Sequence, residues 1–166
     1  MGEAGSADRR IAIVIIGEPR TGKSSIIRAL TGTGSVRGPP VYQLKDRYGN
    51  VRRFLVLHTS PQERDVSPHQ FITVPPYSSM TEVAHDVLVL GLEMTYRWDA
   101  QSYIDILREQ LNYEVRVAII QSPNHQLMNY LITNSIAHVI CPYKRQNTFA
   151  DPFEIASYIR RSIWPP

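Results

Sequence analysis

At 166 residues, of which 43% are apolar and 20% charged, the chain has room for one folded domain with one hydrophobic core. Its net charge of +3 is spread over separate arginine pairs, which argues against a stripe that binds nucleic acid. One cysteine excludes an internal disulfide, and the apolar runs are too short to span a bilayer. We therefore expect a cytoplasmic protein without stable membrane insertion.

The first half of the chain predicts three strands and one helix. The apolar run Ile11–Ile16 is typical of a strand buried on both faces, and residues 24–30 predict a helix that ends at a glycine-rich stretch. Val41–Lys45 and Val51–Leu57 flank a turn and predict an antiparallel hairpin. Prolines prevent residues 62–81 from forming one long helix.

The second half of the chain continues the alternation of strands and helices. The predicted elements are a strand at Val87–Leu92, an amphipathic helix at 99–111, a strand at 115–120, a short helix at 126–133, a strand at 137–141 and a last helix capped by Asp151. Such alternation predicts an α/β fold, with a mainly parallel six-stranded sheet between helices. The first strand of the hairpin would be the antiparallel edge.

No domain boundary is visible in this pattern. We expect a flexible N-terminus over residues 1–10 and a single domain over residues 11–166. The first residues match a loose myristoylation pattern at Gly2, but the acidic Glu3 beside it argues against lipidation.

The stretch GEPRTGKSS, residues 17–25, matches the Walker A pattern between a predicted strand and a predicted helix. In that pattern backbone N–H groups surround phosphate oxygens, the lysine reaches the β- and γ-phosphates, and the serine hydroxyl binds Mg²⁺. Pro19 offers no N–H group, and Glu18 adds negative charge. The predicted phosphate-binding residues are Gly17, Arg20, Thr21, Gly22, Lys23, Ser24 and Ser25, and Ser24 would be the metal ligand if Mg²⁺ is bound.

Beyond this loop, the sequence resembles the Ras-like small G proteins, and the Rab members especially. Residues 57–63, L-H-T-S-P-Q-E, look like the D-T-A-G-Q-E motif of that family and follow the second hairpin strand as it does. Residues 115–125 and 141–144 lie where the family has its N-K-x-D and T-S-A-K-like runs. The resemblance covers nearly the whole chain and implies a P-loop NTPase with a Ras-like G domain.

Relative to that family, this chain departs at positions that perform chemistry. His58 stands where the family has an aspartate of the Mg²⁺ shell, and Pro61 stands where a glycine offers its N–H to the γ-phosphate. Gln62 matches the glutamine that positions the attacking water, and an ordinary surface residue is the alternative interpretation. Gln62 is thus the candidate catalytic residue.

Two further motif positions are altered. Ser35 lies where the family has its Mg²⁺-binding threonine, yet it follows Lys23 by only twelve positions, a shorter connection than the family uses. The residues at the guanine-reading motif run from Ser122 to His125, and an imidazole cannot replace a carboxylate that accepts two hydrogen bonds from guanine.

The resemblance and these departures predict a degenerate small GTPase, a pseudoGTPase, that acts as a protein-interaction module. It would require no cofactor and would hold GTP, GDP or another nucleotide with Mg²⁺ weakly at most. The alternative is an active, divergent small GTPase that binds and hydrolyses GTP or another NTP as a molecular switch. We expect a protein partner to contact residues 64–80 and the 41–57 hairpin, with Phe71, Tyr77 and Met80 as apolar contacts.

Overall fold

The computed structural model describes residues 9–18, 21–32, 41–141 and 151–165. Its strands are β1 (Ile11–Ile16), β2 (Val41–Lys45), β3 (Val51–Leu57), β4 (Val87–Leu92), β5 (Glu114–Ile119) and β6 (Ala137–Ile140). They form one sheet in the order β2-β3-β4-β1-β5-β6. β2 runs antiparallel to β3, and the other neighbouring pairs are parallel. The predicted sheet, with its antiparallel edge strand, is confirmed.

Five helices surround the sheet in the described part of the chain. They are α1 (Lys23–Thr31), α2 (Ser79–Glu82), α3 (Ala100–Asp105), α4 (His125–Thr133) and α5 (Pro152–Ser162). The chain continues from α3 into a π-helical turn at Ile106–Gln110, and a 3-10 turn lies at Pro68–Gln70. None of these helices is long and apolar enough to cross a lipid bilayer. The bounds predicted for the first four strands are confirmed, and α1, α3, α4 and α5 begin within one residue of their predicted starts, whereas the short α2 was not predicted.

The sheet separates two apolar clusters. On one face, Ile27 of α1 and Ile159 of α5 pack with Phe54, and the Trp164 ring stacks on Phe54 with ring centroids 5.2 Å apart. On the other face, α3, α4 and the segment after β3 cover the sheet. Cys141 is buried, and burial raises the pKa of its thiol to about 11. A strand with apolar neighbours on both faces explains why β1 and β4 read as continuous apolar runs.

The segment between β3 and β4 corrects one expectation about the partner surface. Phe71, Tyr77 and Met80 are fully buried, so their prediction as exposed contacts is wrong. The rings of Phe71 and Tyr77 lie 5.5 Å apart, and the Tyr77 hydroxyl donates to the Thr59 carbonyl at 2.6 Å. Burying each such side chain stabilises the fold by about 1.5–3 kcal/mol. The prolines prevent one long helix in this segment, but they do not prevent its apolar side chains from packing against the sheet.

Several predicted features lie outside the described residues. These are residues 1–8 of the predicted flexible N-terminus, with Gly2, the phosphate-loop residue Arg20, and Ser35, which lies where the family has its Mg²⁺-binding threonine.

Candidate functional site

The candidate site lies where the parallel strands β1, β4 and β5 end. The phosphate loop leaves β1, Glu93 follows β4, and Gln121 follows β5. Two hydrogen bonds tie the loop to its neighbours: the Gly17 N–H donates to the Leu92 carbonyl at 3.1 Å, and the Glu18 N–H donates to the Gln121 side-chain oxygen. In sheets of this kind the carboxyl ends of the strands are where ligands bind.

Glycines shape the loop for close packing and a sharp turn. A Cβ at Gly17 would lie 2.5 Å from the Thr21 hydroxyl and 2.7 Å from Ile120, so a larger residue would push the loop off β5. Gly22 has a φ of +88° and caps the start of α1. The Thr21 hydroxyl donates to the Glu18 carbonyl at 2.7 Å, which closes the turn. The predicted strand–loop–helix context of the Walker A residues is therefore present.

The Lys23 ammonium group points into the protein and is paired there. Its Nζ lies 2.7 Å from Oε1 of Glu93, and it donates to the Glu18 carbonyl at 3.1 Å. Lys23 is 6% exposed and Glu93 is fully buried. The cation that a phosphate loop offers to its ligand is thus bound by a carboxylate of the same chain.

The Glu93 carboxyl group is a titratable acid inside this site. Burial raises its pKa from the ordinary 4.5 to about 7; Lys23 opposes the rise, and the nearby Glu63 carboxyl adds to it. The Ser60 hydroxyl donates to Oε1 of Glu93 at 3.4 Å. Near neutral pH, the charge that faces Lys23 therefore changes with the protonation of one side chain.

The side-chain amide of Gln62 is buried and forms hydrogen bonds with both backbone groups of Glu93. Its Nε2 donates to the Glu93 carbonyl at 2.8 Å and to the Trp98 carbonyl at 3.2 Å. Its Oε1 accepts from the Glu93 N–H at 3.1 Å. Gln62 is fully buried, so the interpretation as an ordinary surface residue is wrong. Its catalytic role stays a prediction, and its amide is occupied on both sides by backbone.

The other altered residues lie around the loop with different surroundings. The exposed Ser24 hydroxyl donates to the His58 carbonyl at 3.4 Å, so the predicted metal ligand contacts backbone. Burial, with a smaller effect from Arg28, lowers the pKa of His58 and favours the neutral imidazole. Pro61 is buried in a turn, and its carbonyl accepts from the Val66 N–H at 2.9 Å. Ser25 is exposed on α1.

Mg²⁺ prefers several oxygen ligands, with carboxylates among them. The described residues contain no group of three His, Cys, Asp or Glu side chains that could hold a metal ion. The pair that faces the phosphate loop, Lys23 with Glu93, also fills the space in front of the lysine with negative charge. Among the described residues, the lysine that would face a phosphate is therefore already paired with a carboxylate.

Beyond β5, the residues predicted to replace the guanine-reading motif begin a helix. Asn124 caps α4, and its side-chain oxygen accepts from the Leu127 N–H at 2.8 Å. His125 is the first helical residue and is exposed, as is Ser122. The side chain that contacts the loop is Gln121, one residue before the predicted motif. Whichever register is used, residues 121–125 contain no carboxylate.

Sequence reasoning missed the two side chains that organise the site, Glu93 and Gln121. Glu93 is a lone acidic residue after a buried strand, and its only sequence signal is its place at the carboxyl end of β4. Gln121 lies two residues after the end of β5. Polar residues near the carboxyl ends of buried parallel strands could have been flagged on that ground.

Comparisons with known proteins add little beyond the fold. No protein-family model matches the chain. No curated protein matches it either. Among solved structures, the chain is similar to a FeoB G-domain from Methanococcus jannaschii, with 16% identity, coverage of 80% of this chain and 86% of that chain, and a TM-score of 0.44. The sheet, with its antiparallel edge strand, and the junction of β1 with α1 agree with the α/β fold predicted from the sequence.

Proposed function

We propose that this protein is a degenerate small-GTPase-like module that binds other proteins and holds nucleotide weakly at most. The observation that carries this proposal is the buried ion pair between Lys23 and Glu93, at 2.7 Å. In a working phosphate loop the lysine must face the phosphates of the ligand. Here a phosphate group would have to displace the Glu93 carboxylate or face its negative charge.

The residues around the ion pair support the same proposal. Gln62 binds the backbone of Glu93 from both sides and so fixes the carboxylate in front of the lysine. Pro61 offers no N–H group, and the neutral imidazole of His58 supplies no negative charge for a metal ion. None of these three side chains therefore offers a free group that could bind a γ-phosphate or its metal ion.

The proposed partner surface is the 41–57 hairpin together with the exposed part of residues 64–80. Because the large apolar residues of the second segment are buried, the hairpin supplies the apolar contacts. Tyr48 is 74% exposed and Val51 is 61% exposed, both near its turn. Exposed apolar side chains on a rigid scaffold are a common basis of protein recognition.

Calorimetry with GTP, GDP and ATP in the presence of Mg²⁺ tests the nucleotide part of this proposal. At pH 8, where Glu93 is ionised, we expect dissociation constants above about 100 µM for the wild type, with little preference for guanine. Glu93→Gln removes the competing charge, and its affinity should rise by about tenfold or more. The matched variant Glu82→Gln should change the affinity far less, because Glu82 is exposed and lies in α2, outside the phosphate-loop site.

An active switch would give the opposite results. Tight GTP binding by the wild type, together with Mg²⁺-dependent hydrolysis that Gln62→Ala abolishes in a folded protein, would overturn the proposal. Those results would establish the alternative, a divergent small GTPase with unusual metal geometry.

A further inference from the structure

A groove of about 680 Å³ lies at the edge of the sheet opposite the phosphate loop. Its walls are the last turn of α1, the hairpin turn between β2 and β3, and the last turn of α5. α1 starts at the phosphate loop and runs back along β1 for nine residues, or about 14 Å. The groove and the loop are therefore separate features at the two ends of one sheet.

The groove is strongly basic. Four cationic side chains line it: Lys45, Arg47, Arg160 and Arg161. The one carboxylate in the lining, Asp46, is already satisfied, because it accepts from Arg52 at 2.9 Å and from two backbone N–H groups of the hairpin turn at 2.9 Å. The positive charge of the four side chains is thus available to a ligand.

Two of the arginines are held in place by neutral acceptors. The Nη2 atom of Arg160 donates to the carbonyls of Ala29 and Leu30, at 2.8 and 2.6 Å. The Nη2 atom of Arg47 donates to the carbonyls of Arg160, at 3.3 Å, and Arg161. A carbonyl fixes a guanidinium group without removing its charge, and each guanidinium has five N–H donors. These two cations are therefore pre-positioned and still charged, which lowers the entropic cost of binding an anion.

The floor of the groove is apolar. Leu30 and Leu44 line it together with Trp164. The Trp164 ring is 5% exposed, one face is stacked on Phe54, and its Nε1 donates to the Lys45 carbonyl at 3.3 Å. A ligand that fits this groove has both negative charge and a small apolar group.

We propose that this groove binds an acidic segment of a partner protein, with its carboxylates at the basic rim and an apolar side chain against Leu44, the most exposed residue of the apolar floor. The inference names a partner class for the proposed interaction module and so rests on that function. A single-stranded nucleic acid commonly stacks its bases on an open aromatic face, which the covered Trp164 ring does not offer. The groove is concave, and the surface of a lipid bilayer does not reach its floor.

The structure also offers a different role for the arginines, as caps of the carbonyl ends of α1 and α5. That role concerns Arg47 and Arg160, whose guanidinium groups contact those carbonyls. Lys45 and Arg161 are exposed members of the same rim. Charge reversal at these two residues therefore tests binding with little effect on the fold.

The probe is a short fluorescein-labelled peptide of glutamates with leucines among them, followed by fluorescence anisotropy at low salt. We expect the wild type to bind it, and Lys45→Glu and Arg161→Glu each to weaken binding by about tenfold. Arg64→Glu makes the same change of charge at an exposed residue away from the groove and should weaken binding by less than about twofold. Melting temperatures check that all three variants are folded.

Failure of the groove and failure of the proposed function give different results. No binding of the peptide by the wild type, or equal weakening by all three variants, would overturn the groove proposal. So would tighter binding of a single-stranded RNA oligomer or of phosphatidylglycerol vesicles that displaces the peptide. A change of more than about tenfold in peptide affinity on adding GTP and Mg²⁺ would leave the groove proposal standing and overturn the nucleotide-independent module.

Discussion

The cationic side chains at the two ends of the sheet differ in the groups that hold them. At the phosphate-loop end, Lys23 is buried against the Glu93 carboxylate. At the groove end, Arg47 and Arg160 are held by backbone carbonyls, which leave their charges in place. A positive side chain at a motif position is thus a poor guide to ligand binding unless the group that it contacts is known. What holds the cation decides whether a ligand can use it.

Among tests of this difference between the two ends, removal of the buried cation should change the free energy of unfolding most. Lys23→Met leaves Glu93 buried and unpaired, and at pH 8 we expect the free energy of unfolding to fall by about 3 kcal/mol. Urea unfolding measures the loss. The double variant Lys23→Met with Glu93→Gln should recover most of it.

The loss in Lys23→Met should be smaller at pH 6. The pKa of Glu93 is raised to about 7, so the acid is mostly neutral there and needs no cation. For the same reason the raised pKa favours the folded state below the ordinary value of 4.5, and this contribution is lost as the pH rises through about 7. Equal losses at the two pH values would contradict a titrating Glu93.

Removal of the Gln62 side chain that binds the backbone of Glu93 should have the next largest effect on the free energy of unfolding. Gln62→Ala leaves the Glu93 N–H and carbonyl without their partners inside the protein, and we expect a loss of about 2 kcal/mol in the free energy of unfolding. The control is Gln43→Ala, at an exposed position of β2. A loss no larger than that of the control would show that the buried amide does not stabilise the fold.

Nucleotide binding as a function of pH sharpens the same comparison. Between pH 6 and pH 8, Glu93 ionises and pairs with Lys23, so the wild-type affinity for GTP should fall by about tenfold relative to Glu93→Gln. Calorimetry on both proteins in matched buffers cancels the titration of the phosphate groups of GTP. Parallel pH profiles for the two proteins would contradict competition by Glu93.

The smallest effect is expected at the other end of the sheet. Arg161 is exposed at the rim of the groove, so Arg161→Glu should change the melting temperature by less than about 2 °C. Differential scanning fluorimetry measures this, with Arg64→Glu alongside. A large fall in melting temperature for Arg161→Glu alone would show that Arg161 stabilises the fold rather than binding a ligand.

The fold was predictable because its signals are local. β1 and β4 are uninterrupted apolar runs, the hairpin strands flank a recognisable turn, and the Walker A residues mark the first strand–helix junction. The mainly parallel sheet with its antiparallel edge strand followed from the alternation of elements, whereas the strand order was not predicted. These features depend on neighbours in sequence, and so a single sequence contains them.

The site was less predictable, because its contacts join residues far apart in sequence. Lys23 and Glu93 meet only because β1 and β4 are adjacent in the sheet. Gln62 reaches Glu93 from the segment after β3. The burial of Tyr77 and Met80 likewise depends on how a proline-rich segment folds back over the sheet. Composition near these residues suggests a loop, and loops are usually exposed.

The stacked Trp164 ring has a consequence for spectroscopy. The chain has two tryptophans, and they lie at opposite ends of the sheet. Trp98 belongs to the phosphate-loop end, where its carbonyl accepts from Gln62, and Trp164 forms part of the floor of the groove. In a Trp98→Phe protein, the remaining indole emission reports on the groove without a label, and in Trp164→Phe it reports on the surroundings of Glu93. The molecule therefore contains a separate fluorophore for each of its two ends.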